Sequence, residues 1–151
     1  MQPAVSPTIR PAVGLDILRV LSLLEDAGLP TAGLEDHAGT LFVLAEGQML
    51  LGAVAFEDYH PDALLRSLVV CPQARGNGYG RRLLTFVLEE VARRSFTGAY
   101  GLTTTIPGLL QRFGFNEMPR DDLPRSLMAS AELRGACPAT ARVFGRRLET
   151  T

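Results

Sequence analysis

Three glycines at alternate positions, Gly76, Gly78 and Gly80, interrupt the stretch VVCPQARGNGYGRRLL (Val69 to Leu84), with Arg75 before them and Arg81 and Arg82 after. An apolar, strand-like run ends just before them and a helix-like run begins just after. Backbone amides at such a turn gather at the positive end of a helix dipole, a place suited to an anion such as phosphate. Glycine serves twice here: it permits left-handed backbone angles, and the missing side chain lets a ligand approach the amides. The flanking arginines would add charge-assisted contacts at the rim. Spacing separates the known phosphate-binding patterns. A dinucleotide fingerprint G-x-G-x-x-G begun at Gly76 requires glycine at 81, and a Walker A loop requires Gly-Lys-Ser/Thr at 81 to 83, where the chain has Arg81, Arg82 and Leu83. The pattern that is met is Arg-x-x-Gly-x-Gly, on Arg75, Gly78 and Gly80. A flexible turn with no ligand is the alternative.

The other reactive side chains form no comparable motif. Cys71 and Cys137 are too few for a disulfide framework, have no neighbouring base, and read as small buried hydrophobes rather than as a metal or metalloid site. No metal is therefore expected. At 151 residues and 46% hydrophobic, the chain suffices for one domain with its own core, spanning 1–151. A formal net charge of -1, with every basic residue an Arg, gives no global field toward nucleic acid or an anionic membrane. The start MQPAVSPTIRPAV lacks a basic segment followed by an apolar run, and no stretch of about 18 apolar residues occurs, which points to a reduced, cytoplasmic setting.

The elements that must position the glycine turn follow from periodicity. TIRPAV reads as a short strand confined to an edge by Pro11. LDILRVLSLLEDAGLP places Ile17, Leu18, Leu21, Leu24 and Ala27 at helical spacing and stops at Gly28 and Pro30. TLFVLAEGQMLLGAVAFED reads as two strands with Glu46-Gly47 at a hairpin tip, and a third, ALLRSLVV, is reached through YHPD and ended by Pro72. Downstream, RRLLTFVLEEVARR aligns Leu83, Leu84, Val87, Leu88 and Val91 on one stripe, with Glu89–Arg93 and Glu90–Arg94 pairs opposite. GAYGLTTT is strand-like, IPGLLQRFGF a short helix capped at Gly114, LPRSLMASAELRG helically spaced, and ATARVFGRRL a closing strand. The sum is an α/β domain with a mixed, mostly antiparallel central sheet flanked by helices.

With a strand before it, an amphipathic helix after it and Gly114-Phe115 downstream, the Arg75-to-Gly80 loop resembles the acyl-CoA loop of the GNAT N-acetyltransferases, and the element order resembles the GNAT fold over almost the whole chain. LLRSLVV, GLTTTIPGLLQRFGF and LPRSLMASAELRGACPATA further resemble the arsenic-resistance N-acetyltransferase branch and, more distantly, N-acetylglutamate synthase-like domains. The resemblance implies acetyl-CoA as co-substrate, its diphosphate on the loop amides of Arg75, Gly76, Asn77, Gly78, Tyr79, Gly80 and Arg81, and its pantetheine arm paired with the backbone of Leu68, Val69 and Val70. It implies direct attack, in a ternary complex, by the amine of a small acceptor such as glutamate, arsinothricin or phosphinothricin. A homodimer is compatible with it. A non-catalytic acyl-CoA-binding regulatory module is the alternative.

Acetyl transfer to an amine requires a group to drain the ammonium proton, whose ordinary pKa is about 10. Glu57, at the end of the second hairpin strand, is the candidate, against the reading of an exposed strand-end carboxylate. Tyr59, two residues on and therefore on the same face, is a second catalytic candidate, a substitute proton donor. His60 is a candidate shuttle or a plain turn residue, and His37 lines the acceptor mouth or caps a helix. A backbone N–H near the end of the Val70 strand would meet the oxyanion, which demands a local break in strand pairing. Family members often carry a Tyr acid where this chain has Leu110. For the acceptor, Arg66 would meet a carboxylate, with Ser67 on the opposite face and Thr104 offering a hydroxyl; an outward Arg66 beside a surface acid and a Thr chosen for β-propensity are the alternatives.

Overall fold

In a computed structural model, residues 6–103, 106–136 and 140–148 are described. The chain forms β1 (Thr8–Pro11), α1 (Asp16–Asp26), β2 (Leu41–Glu46), β3 (Met49–Tyr59), β4 (Asp62–Val70), α2 (Tyr79–Arg93), β5 (Gly98–Thr103), α3 (Pro107–Arg112), β6 (Asn116–Glu117) and β7 (Arg142–Arg147). They build one seven-stranded sheet in the order β1-β2-β3-β4-β5-β7-β6. β4 and β5, joined through α2, form the parallel pair, and the remaining pairs are antiparallel. This is the α/β fold with a mostly antiparallel sheet that the periodicity anticipates.

Each face of the sheet buries its own layer. Phe42, Leu44, Val54, Phe56 and Leu65 meet all five stripe residues of α2. Each such side chain contributes roughly 1.5–3 kcal/mol of transfer free energy. On the other face, Val43, Ala53, Ala55 and Val69 pack with Val20, Leu24 and Leu34. The α1 stripe is rotated from the expected one: Leu18 is 62% exposed and Val20 is fully buried. On α2, Arg93 and Arg94 both pair with Glu90, so the expected Glu89–Arg93 pair is replaced by an i,i+3 contact.

Beyond Phe115, LPRSLMASAELRG forms no regular helix. Short turns at Arg125–Ala129 and Glu132–Ala136 are separated by extended backbone at Ser130, and the second contains Gly135 at φ 123°. Leu123 and Leu127 nevertheless pack on Leu64 and Val143, which draws this segment across the α1 face of the sheet.

Asp16 ties β1 to α1. Its carboxylate accepts from Arg10 Nη1 at 2.6 Å and from the Val13 N–H at 2.9 Å. The Arg10 hydrogen bond holds the Asp16 pKa below its ordinary value against the opposing effect of burial. A group lowered in this way stabilises the fold above the ordinary carboxylate range, and that contribution fades as pH falls through the lowered folded-state pKa. Asp16→Ala is expected to cost about 1–3 kcal/mol at pH 7, with the gap to wild type narrowing toward pH 3, as read by urea denaturation at both pH values.

Candidate active site

The glycine turn opens α2. A short turn at Pro72–Ala74 leads to Arg75, and Gly76 and Gly78 both take the left-handed backbone, with φ of 87° and 77°. Gly78 is the residue that caps α2, and it has no side chain with which to occupy the first-turn amides. The first N–H groups of a helix lack intrahelical partners, so those of Tyr79, Gly80 and Arg81 are free to meet an anion. Asn77 braces the turn by donating from Nδ2 to the Ala74 carbonyl at 2.8 Å. A Cβ built on Gly76 or Gly78 would meet nothing within 4 Å, so the surface over these amides is open. Arg75 and Arg81 are exposed at its rim.

From this turn a groove runs along the end of β4. Pairing of β4 with β5 covers only Asp62–Leu65 against Gly98–Gly101, and past that point the strands separate. A cleft open to solvent fills the gap between Arg66, Ser67 and Leu68 on one side and Gly101, Leu102 and Thr103 on the other. The adjoining groove is lined by Leu68, Val69, Val70, Arg75 and Gly80. Leu29, Leu68 and Ile106 line both, so the route from the glycine turn to Arg66 is continuous.

The break in strand pairing lies inside this cleft. Ala55 pairs with Arg66 and Ala53 with Val69, which leaves Ser67 and Leu68 opposite Val54 alone. This β-bulge removes their backbone groups from the ladder, and Ser67 adopts φ 60°, an uncommon conformation for a residue with a Cβ. The bulge also cancels strict alternation. Arg66 and Ser67, expected on opposite faces, both line the cleft, and Arg66 Nε donates to Ser67 Oγ at 3.0 Å.

Behind the cleft lies a buried charge cluster. Arg66 Nη1 donates to Glu57 Oε2 at 2.7 Å, and Arg66 Nε lies 3.1 Å from Glu132 Oε2. Further Arg66 donors meet the carbonyls of Ala32 and Pro30. Glu57 is fully buried and Glu132 is 4% exposed. The Tyr59 hydroxyl donates to Glu57 Oε1 at 2.5 Å, and the partly exposed His37 brings Nε2 to 3.5 Å from the same oxygen. Burial, then the hydrogen bond to Glu57, pushes the Tyr59 pKa up to about 12, so the phenol stays a donor across the neutral range.

The sequence-derived candidates therefore divide by position. Glu57 and Tyr59 share a face and touch, as the two-residue spacing requires. Glu57 is buried rather than exposed, and Arg66 faces two acids rather than solvent. His60 sits away from this group, on the ring of Phe96 at 4.7 Å. Leu110 is buried and lines the cleft. Thr104 and Cys137 lie outside the described residues. Glu132 is the member that sequence reasoning missed, along with Ser130, whose Oγ accepts from the Glu132 N–H at 3.1 Å.

Residues 37–117, more than half of the chain, match the model of the acetyltransferase (GNAT) domain, and the chain belongs to this family. It is 27% identical over 128 residues to the amino-acid acetyltransferase of Neisseria meningitidis, an alignment covering 79% of this chain and 29% of that protein. Its fold matches N-acetylglutamate synthase from Neisseria gonorrhoeae, complexed with coenzyme A and N-acetyl-glutamate, with TM-score 0.81 and 25% identity over 95% of this chain and 35% of that one. A Mycobacterium tuberculosis protein in complex with CoA and NLQ shares the fold at TM-score 0.79 and 14% identity, covering 95% of this chain and all of that one. The chain thus spans about a third of the length of its Neisseria relatives.

Proposed function

We propose that this chain transfers an acetyl group from acetyl-CoA to the primary amine of a small amino acid or amino-acid analogue, by direct attack in a ternary complex. The observation that carries the reading is the continuous route from the open glycine turn, along the free end of β4, to the buried Arg66 cluster. CoA would lay its diphosphate on the amides of Gly76, Asn77, Gly78, Tyr79, Gly80 and Arg81, with Arg75 at the rim, and its pantetheine arm along Leu68, Val69 and Val70. The thioester carbonyl would then reach the bulge at Ser67 and Leu68, whose backbone N–H groups outside the ladder suit an oxyanion.

In the reaction, the acceptor ammonium gives a proton to Glu57 through water. The neutral nitrogen attacks the thioester carbon, the C–S bond breaks as the tetrahedral intermediate collapses, and the proton remaining on nitrogen passes through water to the departing thiolate, giving the amide and the CoA thiol. Tyr59 holds the Glu57 carboxylate in place by its hydrogen bond. Leu110 supplies no acid, but a thiol with an ordinary pKa of about 8.5 leaves as its anion without one. Arg66 would meet an acceptor carboxylate, with Ser67 beside it. Glutamate-like acceptors are supported by the Neisseria relatives, and arsinothricin- or phosphinothricin-like ones by the LLRSLVV and ELRGACPATA stretches that resemble the arsenic-resistance branch. A cytoplasmic protein, compatible with a homodimer, is proposed.

Leu110 in the cleft is the observation that favours a second reading, a non-catalytic acyl-CoA-binding module. Thiol release from acetyl-CoA with a panel of amino acids separates the two: CoA binding with no thiol released above background leaves the binding module. If the acetyltransferase reading holds, Glu57→Gln is expected to lower kcat by about 10²–10⁴-fold, with CoA affinity unchanged. Wild-type turnover in that variant would remove Glu57 from the mechanism.

A further inference from the structure

The bulge at Ser67 and Leu68 puts a hydroxyl where the thioester is proposed to sit. Ser67 holds φ 60°, a backbone conformation that glycine adopts freely and that a residue with a Cβ adopts at a cost, so retaining serine there points to a use for its side chain. Ser67 lines the cleft, and its Oγ accepts a hydrogen bond from Arg66 Nε at 3.0 Å. A guanidinium has donors only, and a serine hydroxyl carries one hydrogen besides its lone pairs, so the Arg66 contact leaves that hydrogen to be donated elsewhere. No acceptor among the described residues takes it. Thr103, the other hydroxyl residue lining the cleft among the described residues, accepts at Oγ1 from the Ile106 N–H at 2.9 Å and serves the start of α3.

Resting on the acetyltransferase reading, we propose that Ser67 is a catalytic residue whose hydroxyl donates to the thioester carbonyl oxygen and, with the backbone N–H groups of the bulge, stabilises the oxyanion. As the amine attacks, the carbonyl π pair moves onto oxygen. A donor already aimed at that oxygen bonds more tightly to the tetrahedral intermediate than to the thioester, which lowers the barrier to the chemical step rather than KM. When the C–S bond breaks the pair returns to the carbonyl, and Ser67 keeps its proton throughout. Arg66 strengthens this donor, because a hydroxyl that accepts from a cation is polarised along its own O–H bond. The largely apolar lining, with Leu29, Leu102, Ile106 and Leu110, enlarges the effect by keeping the local dielectric low. Arg66 is itself held by Glu57, by Glu132 and by the Ala32 carbonyl, so the Ser67 oxygen rests on a fixed donor.

Ser67→Gly removes the hydroxyl, keeps the backbone N–H and suits the left-handed backbone, while Ser67→Ala removes the hydroxyl and keeps the Cβ. Each is expected to lower kcat about 10²-fold, with the acceptor KM and the affinity for acetyl-CoA little changed. Ser67→Asn tolerates the left-handed backbone and carries a donor, and should recover part of the loss. The direct readout is the carbonyl stretch of bound acetyl-CoA, isotope-labelled at the thioester carbonyl and measured by infrared difference spectroscopy. The band is expected at lower frequency on wild type than on Ser67→Gly or Ser67→Ala, because a donated hydrogen bond weakens the C=O bond. A hydroxyl that only braces Arg66 would leave the band alike in wild type and both variants, which would overturn the proposal. A rise in the acceptor KM with kcat unchanged would also overturn it, since the hydroxyl would then belong to the acceptor. Wild type that binds acetyl-CoA yet releases no thiol with any amine would remove the acetyltransferase reading itself, and the band position would still decide whether Ser67 donates to the carbonyl.

Discussion

Gly78→Val is expected to reduce CoA affinity by more than about 100-fold while the protein stays folded. Two physical effects combine. Gly78 holds φ 77° at the cap of α2, a left-handed conformation that costs a residue with a Cβ roughly 1–2 kcal/mol. That cost is tolerable within a typical stability of about 5–15 kcal/mol. The larger effect falls on the ligand: nothing in the protein lies within 4 Å of a Cβ placed there, so the isopropyl group projects into the open space above the amides. A diphosphate would have to displace it or stand off, and amide hydrogen bonds weaken steeply beyond normal length. Gly78→Ala carries the same backbone cost with a smaller obstruction and should lose less. A calorimetric titration with CoA checks both, and wild-type affinity in Gly78→Val would show that the diphosphate does not rest there.

Arg66→Leu is expected to be the most destabilising single change in the site, at about 3–5 kcal/mol. It removes the guanidinium that bonds to both Glu57 and Glu132, two buried carboxylates. Bulk solvent cannot replace the guanidinium, since the Glu57 side chain is 1% exposed and the Glu132 side chain 6%. The Ala32 and Pro30 carbonyls after α1 would lose their donor as well, loosening the segment that walls the cleft. Urea denaturation measures the loss. Arg66→Lys restores a charge but not the fork that reaches two acids and two carbonyls, and should recover only part of it. A loss below about 1 kcal/mol would contradict the view that this cluster organises the α1 face.

These two residues mark what the sequence makes legible. The glycine turn is a local feature, carried by spacing within a dozen residues, and the α2 stripe that follows it is buried at every expected position. The Glu57–Tyr59 contact is equally local, because strand alternation alone puts both on one face. Arg66 shows where locality ends. Alternation sets it opposite Ser67, but the bulge depends on the register against β3, which no stretch of β4 encodes by itself. Glu132 was invisible for a related reason: its segment is helically spaced in sequence, yet Pro124, the extended Ser130 and Gly135 break it into turns, and tertiary packing of Leu123 and Leu127 then delivers the carboxylate to Arg66. A lone buried Arg in an apolar strand is the one available hint, since such a cation requires acids from somewhere in the chain.

The most direct measurement is the change in backbone amide resonances as CoA is titrated into the protein. Shifts concentrated at Gly76 to Arg82 and at Ser67 to Val70 are expected, tracing the diphosphate on the glycine turn and the pantetheine arm along the free end of β4. Resonances unmoved in both stretches at saturating CoA would contradict it.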